Sequence, residues 1–144
     1  MRDTNIFKLI HAVELVNNAN IIRFSQMFPH NIGISPILAL SELKINGAQK
    51  QTVLADKLGY TPGAMTNIAT KLVKNGFAER QYNANDRRHV LLAITEMGSK
   101  VLIDAQSKGH DLAMELFSVL SEEEVDQYLA IQNKLLKNVA KEEL

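Results

Sequence analysis

The sequence predicts a mainly α-helical chain with one small β-ribbon, on the strength of three observations. Apolar residues recur at helical spacing along most of the 144 residues. Strand-type composition marks two short runs, over 77–82 and 90–94, with a polar turn region over 83–89 between them. Just before these runs, two short helical patterns abut across Gly59-Tyr60-Thr61-Pro62. Helix, tight turn, helix and cationic ribbon is the order in which a chain sets one helix in the major groove of DNA and a loop beside it. The fold class is therefore α+β, a winged helix-turn-helix with additional helices at both ends.

Each element has its own local signal. Ile6, Leu9, Ile10, Val13 and Val16 give a long amphipathic first helix, continued loosely through Ile21 and Phe24 to a stop at Pro29. Ser35 as cap with Pro36 at the first helical position opens the second, striped by Ile37, Leu38, Leu40 and Leu43 up to Gly47. The third carries Val53, Leu54, Ala55 and Leu58 and ends at Gly59. Thr61-Pro62 restarts a helix at once, with Met65, Ile68, Ala69 and Leu72 on one face and Asn75-Gly76 at its end. Thr95 caps a fifth helix that includes Val101, Leu102, Ala105 and Leu112, in which Gly98 and Gly109 are weak points costing up to ~1 kcal/mol each. Ser121 and Glu124 form a capping box for the sixth, which carries Val125, Tyr128, Leu129, Ile131, Leu135, Leu136 and Val139.

The terminal helices are more apolar than a small winged helix needs for covering its own core. A helical dimerisation part over 1–34 and 96–144, flanking a DNA-binding lobe over 35–95, is the expected organisation, with the second core built between two chains. A three-helix cap on a monomer is the alternative.

Composition narrows the chemistry. No run approaches the ~18 apolar residues of a membrane span, and the first residues lack a secretory signal pattern, so a cytoplasmic protein is expected. The absence of cysteine excludes disulfides, thiolate metal sites and thiol switches. His11, His30, His89 and His110 are scattered, with no spacing that sets two imidazoles on one helix face, so no metal is expected. Neither a catalytic serine or acid arrangement nor a glycine-rich phosphate loop is present; no enzyme and no cofactor are read here. The net charge is zero, yet the segment from Lys44 to His89 holds eight lysines and arginines against three acidic residues. A local basic face follows, in a protein that is not basic overall.

The fourth helix buries Met65, Ile68 and Leu72, which leaves Gly63, Ala64, Thr66, Asn67, Thr70, Lys71 and Lys74 on or near the opposite face. Asn67 is the candidate base reader, since its amide can donate to and accept from adenine together. Thr66 offers a hydroxyl to phosphate or base, Gly63 and Ala64 allow close backbone approach, and Lys71 and Lys74 suit phosphates. In Asp86-Arg87-Arg88 an arginine on a narrow loop can enter the minor groove, while Asp86 braces a guanidinium or the turn. A solvated helix face and a plain polar hairpin are the bland alternatives.

Leu54-Ala55…Leu58-Gly59, Thr66-Asn67-Ile68…Leu72…Asn75-Gly76-Phe77…Arg80, Asp86-Arg87-Arg88 and Ile94-Thr95-Glu96…Gly98 together resemble the MarR family of bacterial regulators. The resemblance spans the whole chain. It implies a homodimer whose two winged lobes span adjacent major grooves of a pseudo-palindrome, with Arg87 or Arg88 in the minor groove. It also implies a repressor of transcription that releases double-stranded DNA when a small effector binds between the dimer core and the lobe. Phe28, His30 and Ile34 stand where such a ligand site would lie; core packing is their other reading. Many relatives have arginine at Asn67 and a threonine cap at Lys50, so the base preference differs and the third helix either starts near Asn46 or lacks a side-chain cap. A winged-helix protein-interaction module without DNA binding is the alternative function, and a small-molecule carrier or enzyme a more distant one.

Overall fold

The computed structural model describes residues 2–142; the side chains of residues 2–4, 86, 87 and 142 lie outside the description. In chain order the elements are α1 (Arg2–Met27), α2 (Ile34–Asn46), β1 (Gln49–Lys50), α3 (Gln51–Leu58), α4 (Pro62–Lys74), β2 (Ala78–Asn83), β3 (Asp86–Ile94), α5 (Glu96–Phe117) and α6 (Glu122–Glu142). The three strands form one antiparallel sheet in the order β1-β3-β2. This is a winged helix-turn-helix with helices added at both ends.

The chain forms two compact units, Met1–Lys108 and Gly109–Leu144. In the first, the core is built where the apolar stripes of α2, α3 and α4 meet. Leu40, Leu43, Leu54, Met65 and Leu72 are fully buried there, closed by Phe28, Leu92 and Leu102. Three stripes are needed because each helix is amphipathic and α3, at eight residues, is too short to be stable alone. Gly59 ends α3 with φ 74°, a left-handed conformation that lets its N–H return to the Ala55 carbonyl. Two residues later Thr61 Oγ1 accepts from Ala64 N at 3.1 Å and Pro62 occupies the first helical position, so α4 starts as the sequence predicts.

Other boundaries differ from expectation. Helix α2 begins at Ile34, with Gly33 as N-cap and no side-chain cap, so Ser35 and Pro36 lie inside the first turn. Proline is tolerated there because first-turn N–H groups have no intrahelical partner. Helix α3 also goes without a side-chain cap. In place of an earlier helical start, Gln49 and Lys50 pair with Leu92 and Leu91 of β3. The buried Gln49 donates to the carbonyls of Glu42 and Gly47, and its Oε1 accepts from Lys57. Gly98 is a required glycine: a Cβ there would collide with the Phe77 carbonyl and with Ile94.

In the second unit the Ser121–Glu124 capping box closes in both directions, Ser121 N to Glu124 Oε1 at 3.0 Å and Glu124 N to Ser121 Oγ at 3.1 Å. These bonds hold the Glu124 carboxyl below its ordinary pKa. Phe117 and Tyr128 meet edge to face at 5.8 Å.

Candidate nucleic-acid interface

Helix α4 turns Met65, Ile68, Ala69 and Leu72 into the core. Gly63, Thr66, Asn67, Thr70, Lys71 and Lys74 are exposed and Ala64 is half-buried. Among the described residues no atom lies within 4 Å of where a Gly63 Cβ would stand, so none of them requires glycine there. The Thr66 hydroxyl is already engaged: it donates to the Pro62 carbonyl and accepts from Gln51 Nε2, both at 2.9 Å, bracing α3 against α4. Among the described residues Asn67 and Thr70 have no such brace.

The exit of α4 is held by a compact set of bonds. Gly76 turns the chain with φ 79°, Phe77 N bonds back to the Leu72 carbonyl, and Thr95 N donates to the Phe77 carbonyl at 3.1 Å. The Thr95 hydroxyl donates to the Gly76 carbonyl at 2.6 Å and accepts from Gly98 N at 3.0 Å, which caps α5. One threonine thus ties the end of α4, the root of the ribbon and the start of α5 together.

The ribbon is longer than the sequence suggests. Pairing runs regularly from Ala78↔Ile94 to Tyr82↔Val90 and then jumps to Asn83↔Asp86. Residues 87–89 are therefore extra on the β3 side, a bulge that breaks the ladder just before a tight turn over 84–85. Asn83 Oδ1 accepts from Asn85 N at 3.0 Å and shapes that turn. The cationic residues sit on this bulge of β3, beside the narrow turn. Arg88 and His89 are exposed. The side chains of Asp86 and Arg87, and with them the expected bracing by Asp86, lie outside the described residues.

Not all of the basic excess is free to meet an anion. Lys57 lies 3.1 Å from Glu42 and 2.8 Å from Gln49 Oε1, and Lys44 donates to Ser99 Oγ at 3.2 Å. Hydrogen bonding from Asn46, then from Lys57, holds the Glu42 carboxyl below its ordinary pKa. Lys50, Lys71 and Lys74 are exposed.

The family described as MarR matches residues 34–90, from the start of α2 into β3. The HTH-type transcriptional regulator YkoM of Bacillus subtilis is 30% identical over 73% of this chain and 68% of its own length. The transcriptional repressor MprA of Escherichia coli is 31% identical over 74% of this chain and 63% of its own length. A variant of MarR from E. coli, solved in complex with operator DNA, is 26% identical and superposes with a TM-score of 0.74, covering 92% of this chain and 96% of that one. The chain belongs to the MarR family. It is a winged helix-turn-helix transcriptional regulator.

Two hollows are present among the described residues of this MarR-family chain. Phe28, His30 and Ile34, expected from the resemblance to share a site, line one cavity of about 310 Å³ together with Phe24, Asn31 and Lys71. Phe24 and Phe28 stack at 5.2 Å, and His30 follows at 4.9 Å from Phe28 and edge-on to Phe77. His30 Nε2 reaches Asp104 Oδ2 at 3.4 Å. Phe28 is itself buried, so it serves both the core and the cavity wall. The second hollow is an apolar groove of about 650 Å³ between the end of α5 and the start of α6, lined by Phe117, Leu120, Val125, Tyr128 and Leu129. Among the described residues no helix is long and apolar enough to cross a membrane, and no three His, Asp or Glu are grouped to hold a metal ion.

Sequence reasoning missed Gln51, Gly98 and the placement of Lys71. Gln51 carries no signal because a polar residue opening a helix is commonplace. For Gly98, glycine inside a helical pattern close after a strand is itself the clue to a close approach.

Proposed function

We propose that this regulator binds double-stranded DNA sequence-specifically as a homodimer, represses transcription from a pseudo-palindromic operator and is released by a small ligand. The observation that carries the reading is the outward face of α4, with Asn67, Thr70 and Lys74 exposed and the bulged cationic ribbon following in sequence. Asn67 selects bases, Lys71 and Lys74 neutralise phosphates, and Arg88 with Arg87 enters the minor groove. Gly63 and Ala64 admit the DNA backbone at the start of α4.

Support for the dimer comes from the terminal helices. Ile6, Phe7, Leu9, Ile10 and Val13 of α1 and Leu129, Ile131, Leu135 and Leu136 of α6 are each about half or more exposed in the single chain. Apolar faces of that extent call for a cover. MprA is named a transcriptional repressor and the MarR variant was solved with operator DNA, which supports repression and DNA binding in this relative. In the dimer the two α4 helices must sit ~34 Å apart to read one face of the duplex. A ligand in the Phe28–His30–Ile34 cavity that prefers another spacing lowers affinity by its differential binding to the two states.

Iterative selection from random duplex DNA at two salt concentrations tests this. An enriched inverted repeat with steep salt dependence is the expected result. Weak, unsaturable binding without enrichment would move the assignment to a protein-interaction module.

A further inference from the structure

We infer that Gln51 is a positioning residue for base recognition: by holding the Thr66 side chain, it makes α4 present the Thr66 methyl to the C5-methyl group of an operator thymine. The inference rests on the DNA-binding reading above and adds the base feature that Thr66 meets and the residue that decides it.

Thr66 has one hydroxyl proton and two hydrogen-bonding neighbours. The Pro62 carbonyl, 2.9 Å away, can only accept, so the proton goes there. The Thr66 oxygen must then accept from its other neighbour, which sets Gln51 Nε2 and not Oε1 against it at 2.9 Å. Phosphate oxygens, guanine O6 and N7, adenine N7 and thymine O4 are all acceptors, and Thr66 has no proton left for any of them. What remains is one lone pair and the methyl. The lone pair shares a tetrahedral oxygen with two bonded neighbours, whereas the methyl belongs to an exposed side chain and matches the apolar mark of thymine in the major groove.

The brace decides where that methyl points. A free helical threonine divides between two rotamers, because either can return its hydroxyl to the preceding turn. The Gln51 amide selects the one whose oxygen faces α3. Gln51 is fixed in its turn: Gln49 and Lys50, just before it, pair with Leu92 and Leu91 of β3. Its side chain is half-buried and lines a hollow of about 270 Å³ with Arg80, Tyr82 and Leu92. The sheet thus sets the start of α3, and the start of α3 sets a side chain of α4. Asn67, at the next position, has no such brace among the described residues, so it can turn to a base while Thr66 arrives already oriented.

The operator obtained by selection is remade with each thymine in turn replaced by deoxyuridine, which lacks only the C5 methyl, and affinity is measured for the full-length protein. Wild type should lose about fourfold at one position of each half-site, the contribution of one buried methyl group. Thr66→Val, with a methyl on each branch, should retain that loss, and Thr66→Ser, with the hydroxyl alone, should not show it. In Gln51→Ala, and in Gln51→Met, which keeps the length without the amide, the loss should disappear while the preference at the pair read by Asn67 stays. Three-bond couplings to the Thr66 methyl in DNA-free protein give a second readout, one rotamer in wild type and a mixture in both Gln51 variants. The inference is overturned by an operator with no methyl-sensitive thymine, by methyl sensitivity that survives Thr66→Ser or is lost in Thr66→Val, or by Gln51 variants that keep either the preference or the single rotamer. A single rotamer in a protein that selects no DNA sequence would sink the DNA-binding reading, and the thymine contact with it, and leave the brace as a feature of the fold.

Discussion

Replacing Gly98 with alanine tests the junction at the foot of α4, and the structure supplies the size of the effect. The new Cβ would overlap the Phe77 carbonyl and press on Ile94. Overpacking of this kind costs about 1–3 kcal/mol. Relief moves the Phe77 carbonyl away from Thr95 N and Gly98 N away from Thr95 Oγ1, putting a hydrogen bond and a helix cap at risk for ~1 kcal/mol each. Alanine's better helix propensity returns up to ~1 kcal/mol. The net expectation is a loss of about 2–4 kcal/mol. Gly109→Ala is the matched control in the same helix, because nothing lies within 4 Å of its Cβ position; it should gain up to ~1 kcal/mol. Urea unfolding followed by circular dichroism at one fixed protein concentration reads both, since oligomerisation makes apparent stability concentration-dependent. The same substitution must change stability in opposite directions at the two sites. If Gly98→Ala unfolds at the same urea concentration as the wild type, the reasoning about this close approach is wrong.

Gly63→Ala leaves the fold intact, because its Cβ enters open space, but inserts a methyl where the DNA backbone is proposed to approach; a gel-shift affinity equal to wild type would remove that contact. Asn67→Ala should relax preference at one operator base pair by about 1–3 kcal/mol while leaving non-specific affinity alone, as read from binding to a panel of single-base variants. For α6, the depressed Glu124 pKa means the capping box stabilises fully above the unfolded value and fades as pH falls through the folded one. Stability should thus be insensitive to this group between about pH 6 and 8, and Glu124→Gln should remove its share of the acid loss below about pH 4.5, as followed by thermal melts across that range.

What was legible in the sequence was whatever has a short-range chemical cause. Thr61-Pro62 starts α4, Gly59 ends α3, and Ser121 with Glu124 opens α6, each through bonds between residues at most four apart. Features set by distant partners were not legible. Strand β1 has two residues and no periodicity; it exists because Leu91 and Leu92, some forty positions later, offer it a ladder. The limits of the ribbon depended on a bulge that no spacing announces. Thr66 reads as a free hydroxyl until Gln51, on the preceding helix, is seen to occupy it. Lys71 was expected on the DNA face alone, because a helical wheel gives direction and not the neighbours that approach from α1.

The strand order leaves the sheet with two open borders, and each is made hard to extend. On one side β1 ends after two residues, too short to template another strand. On the other, β2 is an edge strand that reads Ala-Glu-Arg-Gln-Tyr-Asn, with charge in its middle and a ladder broken at its tip. A backbone edge with those properties resists adding a strand from a neighbouring molecule. The bulge that carries arginine toward the ribbon's tip therefore has a second consequence, for colloidal behaviour. Deleting residues 87–89 would restore a straight ladder between β2 and β3 and remove one of the features that keep the ribbon's edge from pairing with another molecule.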